Sequence, residues 1–502
     1  MAKKVIIIGA GISGLTAGIY ACKAGFDVEI YESHSVAGGE CTGWKRNDFD
    51  IDGCIHWMTG TLKETDLYKV WETCDALNNE VEVVNHEYLS AYLHKDKLYY
   101  LYSDLNKLQQ ELIRIAPNDS KAIKKFTKAV KICQRIEIPV NKPYEFISFP
   151  EKIKLLFKFF KIARCVNKAS RHSAKEYIAD ISSPIVKKMI QTVLPDHIAA
   201  SSLIAALGFR TKGDGGWPMG GSYEMVQRMQ KKFESLGGHI HLGVGIDEIV
   251  IENGKAIGVR TKKANEIERA DYIVPAIDAY TLLNKLLGGI YKDNYFDKRF
   301  DNPPGYLLAS STIIALGVRI SMGNRPHNLY INLDTPLRIN KATHTNMIIR
   351  HYDYDPKFCS NEKSLIEVVL PDFEFDYWNE LKKTSTELYK NEKARILNAI
   401  VAEIQKVYPE ITDKVKMTDI ATPTTFKRYC SAYKGSYMSF ITIPKAKPSM
   451  IPDNHKGTID GIQNMYLASQ WVFPNGGLPM AAIAGKFAIQ RICKQERLSI
   501  VL

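Results

Sequence analysis

The segment that most constrains the fold is a run of glycines directly after the first hydrophobic stretch. Residues 5–8 are β-branched and uncharged, as in a buried parallel strand. The pattern G-x-G-x-x-G follows at residues 9–14, and apolar residues then recur at helical spacing up to Gly25. A second strand, predicted over residues 28–32, ends on Glu32. This order of strand, glycine turn, helix and acid-terminated strand predicts a unit that binds a dinucleotide.

Each residue type has a role in such a unit. The first glycine permits a tight turn, the second lets the backbone approach a pyrophosphate, and the third lets the helix pack closely on the strand. The helix N-terminus binds the phosphates, and Glu32 accepts hydrogen bonds from a ribose diol while repelling a 2′-phosphate, which disfavours NADP. The predicted phosphate loop is Gly9, Ala10, Gly11, Ile12, Ser13 and Gly14.

A second glycine pair, Gly38-Gly39, follows the ribose-binding acid within a few residues. It indicates a second place where the backbone approaches the ligand, which a plain NAD domain does not need; the alternative is an ordinary loop. Residues 49–52, followed by Gly53, are typical of a short strand and a glycine turn.

Length and composition narrow the class of protein. At 502 residues the chain has room for two or three domains, and its 45% hydrophobic and 24% charged residues are ordinary for a globular protein. The formal net charge of +12 indicates nucleic acid, an anionic membrane or a lysine-rich surface. Because no RNA- or DNA-binding motif accompanies it, we expect no nucleic acid partner.

The cysteines give information about the compartment. Nine cysteines are scattered, odd in number and never in a C-x-x-C pair, which argues against a disulfide framework and against a structural zinc site. We therefore expect a reducing cytoplasm and no metal. Residues 5–22 are uncharged after two lysines, as in a signal peptide, but their four glycines and the lack of a clear cleavage site favour the strand and helix.

Residues 60–210 are predicted to be mostly helical, and Lys152–Lys168 is their most informative stretch. On a helical wheel one side is basic and the other apolar, as in a helix that lies on a bilayer surface. The alternative is a core-facing helix with a solvated lysine face. The basic residues are Lys154, Lys158, Lys161, Arg164 and Lys168, and the apolar ones are Ile153, Leu155, Leu156, Phe159, Phe160, Ile162, Ala163 and Val166.

The later chain alternates helices and strands. A helix is predicted from Glu224 to Leu236, and Asn253-Gly254 between two alternating runs is a strong hairpin signal. The resulting β-meander departs from a simple NAD domain. Near the end of the chain, a strand from Met465 leads into a glycine- and proline-rich loop and a helix over 481–493.

Taken together, these motifs resemble the FAD-dependent superfamily of phytoene desaturases, carotenoid isomerases and retinol saturases, which shares its flavin fold with amine oxidases. In that family an arginine usually follows the glycine pair, where this chain has Glu40. The family also usually carries glycine and a small or acidic residue where Ser469 and Gln470 stand. Residues 75–200 match only loosely, and substrate choice is expected to lie there.

The resemblance implies FAD as the cofactor and assigns further residues to it. The backbone around Ile246 is expected to contact the adenine. The N-terminus of the last helix is expected to face the pyrimidine end of the flavin ring, where the helix dipole stabilises an anionic reduced flavin. Residues 422–426 and 433–436 are expected to run beside the ring. Beyond the phosphate loop, the implied contacts are Glu32, Ser33, Gly38, Gly39, Glu40, Ile246, Ser469, Gln470, Gly477, Leu478, Pro479 and Met480.

The predicted fold class is α/β: a Rossmann-like FAD-binding domain with a β-meander, an α+β substrate domain and a helical subdomain. The FAD-binding domain is discontinuous, comprising residues 1–72, 216–290 and 455–502. Residues 73–215 form the helical subdomain that faces substrate or membrane. Residues 291–454 form the substrate domain with an antiparallel sheet and one clear helix, Glu392 to Tyr408.

The function implied is an oxidoreductase that transfers a hydride between flavin and a carbon–carbon bond of a long apolar substrate, as a desaturase, saturase or isomerase. The polar candidates for proton transfer are His56, Arg210 and Tyr433. The alternatives are an amine oxidase and a lipid-binding escort protein similar to the Rab GDP-dissociation inhibitors. We expect a cytoplasmic protein, peripheral at the inner face of the membrane through Lys152–Lys168; the sequence does not determine the oligomeric state.

Overall fold

The computed structural model describes residues 2–262, 266–300, 306–444 and 453–499. The strands are β1 (Lys4–Ile8), β2 (Asp27–Glu32), β3 (Gly43–Arg46), β4 (Phe49–Asp52), β5 (Val83–Val84), β6 (Tyr88–His94), β7 (Lys97–Tyr102), β8 (Trp217–Pro218), β9 (His239–Leu242), β10 (Ile246–Glu252), β11 (Lys255–Thr261), β12 (Ile267–Arg269), β13 (Tyr272–Pro275), β14 (Tyr306–Leu307), β15 (Ser310–Val318), β16 (Asn328–Ile339), β17 (Ala342–His351), β18 (Ser364–Asp372), β19 (Val415–Ala421) and β20 (Ile441–Thr442).

The helices alternate with these strands in the chain. They are α1 (Ile12–Lys23), α2 (Asp66–Thr73), α3 (Leu105–Ile115), α4 (Ser120–Cys133), α5 (Phe149–Ala169), α6 (Ala174–Tyr177), α7 (Pro184–Gln191), α8 (Ala200–Thr211), α9 (Gly221–Ser235), α10 (Ala279–Thr281), α11 (Asn294–Phe300), α12 (Phe375–Thr384), α13 (Thr386–Val407), α14 (Pro423–Cys430) and α15 (Leu478–Gln495). Within the described ranges, none of them is both long and apolar enough to cross a membrane.

The N-terminal motif forms a parallel sheet in the strand order β13-β1-β2-β9. The β-branched residues of β1 lie at its centre, and α1 and α15 pack together beside it. A Cβ atom on Gly14 would lie 1.9 Å from the carbonyl oxygen of Gly9, so only glycine permits this close approach of helix and strand. The strand predicted from Met465 is an extended segment that makes a single parallel bridge to β13.

The predicted β-meander is present as the antiparallel sheet β10-β11-β12. Asn253 and Gly254 connect its first two strands with φ angles of 49° and 74°, the left-handed conformation that a tight hairpin turn requires. The helix predicted over 224–236 is α9, and it begins three residues earlier, at Gly221.

The largest sheet has seven strands in the order β19-β15-β18-β17-β16-β6-β7, antiparallel except for the pair β16 and β6. The hairpin β6–β7 corrects the sequence prediction, because it lies inside the segment expected to be mostly helical. The hairpin is rich in tyrosines and leucines, which favour strands, and it extends this sheet. The domain boundaries stay a prediction.

Helices in the substrate half were underestimated by the sequence pattern. Besides α13, which covers the expected Glu392–Tyr408, the structure has α11, α12 and α14 there. The segment Thr422–Phe426, taken alone, is typical of a turn and a strand, but it begins α14 instead. Thr422 and Thr425 form a reciprocal capping box at that helix N-terminus, which satisfies backbone N–H groups that a helix start leaves free.

Candidate functional site

A cavity of about 1500 Å³ runs from the phosphate loop to the seven-stranded sheet and helices α7 and α8. Pockets for one drug-sized ligand measure roughly 300–1,000 Å³. The cavity therefore has room for a dinucleotide and a second molecule in one continuous space.

The phosphate end of this cavity is built from the two glycine motifs. The backbones of Gly11 and Gly38 form a parallel bridge, and the Gly38 N–H donates to the carbonyl oxygen of Ala10 at 2.9 Å. Gly38 has a φ of 127°, and a Cβ there would lie 2.5 Å from the carbonyl oxygen of Cys41. Helix α1 has no side-chain cap and no acid in its first turn, so its N-terminus favours an anion.

Glu32 lies on the cavity wall next to this loop. Its two carboxylate oxygens accept hydrogen bonds from the backbone N–H groups of Ala10 and His34, each at 2.8 Å. A carboxylate offers about four lone-pair sites, so Glu32 still has the capacity to accept hydrogen bonds from a ribose diol. The backbone carbonyl of Glu32 also accepts from Val244, which holds the start of β10 at Ile246 beside the same end of the cavity.

Glu40 lies on the cavity wall directly after the glycine pair, and its carboxylate is shielded from solvent. Neither oxygen accepts a hydrogen bond from the part of the chain that the structure describes. Burial raises the pKa of Glu40 to about 8, with Asp278 adding to the effect and Cys430 and Lys427 opposing it. At neutral pH this side chain is therefore mostly an uncharged acid, unlike the arginine that the family resemblance places there.

The other end of the predicted cofactor site is the loop before α15. Gly477 is the N-cap of this helix; Pro479 lies in its first turn, which contains no acid. Ser469 caps the short turn at residues 470–472, and Gln470 accepts from the Gly477 N–H. A Cβ on Gly476 would lie 2.6 Å from the Gln470 side-chain oxygen. The loop thus aims a second uncapped helix N-terminus at the cavity.

These residues fit FAD. Two helix N-termini without side-chain caps face one cavity, a carboxylate with spare acceptor capacity lies at the nucleotide end, and glycines line the approach where a Cβ would obstruct it. Of the residues predicted to bind the cofactor, those that line the cavity are Gly9, Gly11, Ile12, Ser13, Glu32, Ser33, Gly38, Gly39, Glu40, Ile246, Ser469, Gln470, Gly477, Leu478, Pro479 and Met480. Ala10 and Gly14 support the loop from behind, through the contacts with Glu32 and Gly9.

The three candidates for proton transfer are in different places. His56 lines the cavity; burial, reinforced by Arg350 and Arg210, lowers its pKa well below the ordinary value. Arg210 lies behind the wall, with its guanidinium 5.6 Å from the ring centre of Trp57. Tyr433 is not on the cavity wall but stacks on Tyr280, with 4.0 Å between ring centres. Only His56 of the three is placed to touch a ligand.

The sequence prediction missed the polar residues of β17. Residues 342–348 and Arg350 line the cavity, with the even-numbered residues on one face of the strand, while Ile349 and His351 are buried on the other face. Residues 343–346 are four polar side chains in a row, so no alternation of polar and apolar residues marked this face in the sequence. The residues of this face that line the cavity are His344, Asn346, Ile348 and Arg350.

Comparison with known proteins agrees with FAD as the cofactor. A family model of flavin containing amine oxidoreductases matches residues 12–493. Among curated proteins, the chain is 22% identical to a chloroplastic prolycopene isomerase from Daucus carota, over 97% of this chain and 79% of that protein. It is 23% identical to an all-trans-retinol 13,14-reductase from Danio rerio (93% and 82%) and 21% identical to a 4,4'-diapophytoene desaturase from Methylomonas sp (99% and 96%).

Solved structures show the same fold. A cyclohexylamine oxidase from Brevibacterium oxydans superposes with a TM-score of 0.60 at 12% identity, over 99% of this chain and 100% of that one. An oxidoreductase from Methanosarcina mazei superposes with a TM-score of 0.57 at 16% identity, over 98% and 100%.

Proposed function

The chain belongs to the family of flavin containing amine oxidoreductases, and from that premise we propose that it is an FAD-dependent enzyme acting on a carbon–carbon bond of a long apolar molecule. Its substrate class is an isoprenoid or other lipid, and its reaction is a desaturation, a saturation or an isomerisation. Support comes from the similarity to a prolycopene isomerase, a retinol reductase and a diapophytoene desaturase.

The observation that carries this proposal is the continuity of the cavity. One end has the glycine loops and Glu32, and much of the remainder is walled by apolar side chains from α8, β18 and the 436–441 segment. Burial of a long hydrocarbon chain needs such a surface, because each buried methylene stabilises binding by about 0.8 kcal/mol. The apolar lining residues include Ile198, Ala205, Ala206, Phe209, Tyr330, Ile348, Leu370, Phe373, Met438 and Ile441.

The chain's own residues supply positioning, a dry surface and, in His56, a group able to carry a proton. Bound FAD supplies a two-electron acceptor or donor. His56 is a neutral imidazole at pH 7, because its pKa is lowered by burial, and its Nδ1 has no hydrogen-bond partner among the described residues. It is thus able to take up or hold a proton at the cavity wall.

Amine oxidation is the weaker alternative. A protonated amine needs a carboxylate or an aromatic cage at the reacting end of the cavity. The wall beside His56 instead carries the guanidinium of Arg350, which repels an ammonium group.

We further propose that helix α5 docks on an anionic bilayer. Phe149 and Phe157 are 75% and 77% exposed, and exposed aliphatic and aromatic side chains continue this apolar face along the helix. Exposed apolar patches of this kind mark interaction surfaces, and the lysines beside them complement anionic headgroups. The apolar face consists of Phe149, Ile153, Leu156, Phe157 and Phe160.

The position of α5 supports a path for an apolar substrate. Its Lys158 pairs with Glu137 at 2.5 Å, and the residues flanking Glu137, Ile136 and Ile138, line the cavity. A bilayer against α5 would therefore lie close to one wall of the substrate space. We place the protein at the cytoplasmic face of a membrane, in keeping with nine free cysteines.

The purified protein tests the main proposal directly. We expect a yellow protein with a flavin spectrum, and full release of the colour into the supernatant on acid precipitation, because the cofactor is expected to be noncovalent. Incubated without oxygen with prolycopene, diapophytoene and retinol, the holoprotein should convert at least one polyene, seen by chromatography. A colourless protein that binds lipid without converting it would instead indicate an escort protein, and peroxide formation from cyclohexylamine or putrescine an amine oxidase.

A further inference from the structure

Two arginines close to His56, Arg350 and Arg210, make no ion pair with any residue that the structure describes. Arg350 donates from Nε to Asn328 at 3.3 Å, and one of its terminal nitrogens has no partner in the described residues. Arg210 donates to the carbonyl oxygen of Leu89 at 3.3 Å, and its Nε likewise has no partner there. Burial lowers the pKa of Arg210 to about 10, and the positive charge of Arg350 adds to the effect.

The nearby carboxyls Glu367 and Asp52 form no ion pair with either arginine. Burial raises the pKa of Glu367 to about 8, so at neutral pH that side chain carries little negative charge. Burial also raises the pKa of Asp52, which accepts four hydrogen bonds from Ser222, Cys54 and Ile55.

Two histidines and two tyrosines near the two arginines also add no negative charge. His86 and His327 stack with 3.6 Å between ring centres, and burial lowers the pKa of both, so their rings are neutral at pH 7. Burial raises the pKa of the Tyr352 and Tyr354 phenols, which therefore also remain neutral. Two further acids lie close by: Asp353 pairs with His351 at 3.6 Å, and Asp355 accepts hydrogen bonds from the Trp217 indole N–H and the Gly220 backbone N–H, each at 2.8 Å.

Arginines remain protonated at neutral pH even when buried, and buried charges in proteins are generally paired. Here two guanidinium groups share one region without a carboxylate partner in the described chain, and Arg350 lines the cavity. An anion that binds in the cavity would compensate these two buried positive charges. Because a planar guanidinium fork matches a carboxylate, a single carboxylate on an apolar chain suits the site.

We propose that Arg350, with Arg210 behind Trp57, forms an anion site that binds a carboxylate at one end of the long apolar substrate. This inference rests on the proposed function and narrows its substrate class from neutral hydrocarbons and alcohols to long-chain carboxylic acids. His56 lies beside the bound carboxylate as a neutral neighbour.

The test uses two isoprenoids with the same carbon chain, geranylgeranoic acid and geranylgeraniol, titrated into the FAD-loaded protein at pH 7.5. Binding is followed by the change in flavin absorbance and in tryptophan fluorescence. The wild type should bind the acid at least tenfold more tightly than the alcohol. Arg350→Met and Arg350→Gln should bring the two affinities together, and Arg350→Lys should retain part of the difference.

Arg319→Met is the matched control, because Arg319 pairs with Asp48 on the surface and does not line the cavity. It should leave the preference for the acid unchanged, and retained flavin in each variant shows that the fold is intact. Equal affinities for acid and alcohol in the wild type would overturn the anion site. A preference that survives in Arg350→Met and Arg350→Gln would overturn it as well.

An acetate titration distinguishes a site for the carboxylate of the substrate from a site for free small anions. Acetate binding as tight as that of the acid would mean that the site takes free anions, and would overturn the assignment to substrate. Tight binding of the acid with no conversion of any polyene would contradict the proposed function while supporting the anion site, so the two failures are distinguishable.

Discussion

The side-chain carbonyl of Gln470 accepts a hydrogen bond from the backbone N–H of Gly477, with 2.6 Å between Oε1 and N. Gly477 is the N-cap of α15, so this bond fixes the loop from which the helix N-terminus faces the cavity. The family pattern usually has a small or acidic residue at position 470. Glutamine and glutamate share the acceptor oxygen that the Gly477 N–H needs.

Removing this acceptor should weaken cofactor binding. Gln470→Leu loses one hydrogen bond that orders the loop, and a bond of this kind contributes about 0.5–1.5 kcal/mol, so the Kd for FAD should rise roughly three- to tenfold. Gln470→Glu keeps an acceptor and serves as the control, with a much smaller effect. The measurement is FAD reconstitution of the stripped protein, and an unchanged Kd for the leucine variant would mean that the loop does not depend on this bond.

Replacing Glu32 by glutamine should have a larger effect. The variant loses charge-assisted hydrogen bonds, worth about 1.5–3 kcal/mol each, and its amide nitrogen would face one of the two backbone N–H groups that now donate to the carboxylate. We expect at least tenfold weaker FAD binding. The control is Glu29→Gln on the same strand, which breaks the ion pair with Lys4 and does not line the cavity. If Glu32→Gln and the wild type bind FAD with equal affinity, this carboxylate does not bind the ribose.

Glu40 should make stability fall as pH rises. In the unfolded chain a glutamate ionises at about pH 4.3, whereas in the folded protein burial raises the pKa to about 8. Between these values folding takes up a proton, so ionisation progressively favours the unfolded state. Glu40→Gln should therefore raise the melting temperature more at pH 8 than at pH 5. Glu367 titrates in the same range, so only the difference in melting temperature between variant and wild type reports on Glu40. An equal rise in melting temperature at both pH values would contradict the burial of Glu40 as an uncharged acid.

The nucleotide half of the fold could be predicted from sequence because its determinants are local. The glycine turn at residues 9–14, the acid that ends β2 and the Asn253-Gly254 hairpin each depend on a few adjacent residues. These features place the parallel sheet, the meander and most of the cavity wall at the cofactor end. The resemblance to a flavin family added the second end of that site.

The substrate half could not be predicted in the same way, because its determinants are far apart in the chain. The hairpin β6–β7 is a pair of strands only through its parallel contact with β16, more than two hundred residues later. The anion site likewise joins His56, Arg210 and Arg350 from three separate segments. No spacing in the sequence relates these residues, so the candidates for chemistry included Tyr433, which lies off the cavity wall, and omitted Arg350.

The last prediction concerns the membrane. Each lysine or arginine near an anionic surface contributes about 1 kcal/mol, and α5 also exposes an apolar face to a bilayer. Substitution of Lys154, Lys158 and Lys161 by glutamate should abolish co-sedimentation with phosphatidylserine-containing vesicles, while the flavin remains bound. Wild-type binding should fall as salt rises, because the lysine charges become screened.

Two further variants make this test specific. Substituting Phe157 and Leu156 by serine keeps the charges and should weaken binding to vesicles at all salt concentrations, since the exposed apolar side chains no longer enter the interface. The charge control reverses Lys382, Lys383 and Lys390, which are exposed on α12 and α13, and should leave binding intact. If the wild type does not bind acidic vesicles at low salt, α5 is a packed helix with a solvent-exposed face. The substrate must then reach the cavity from water.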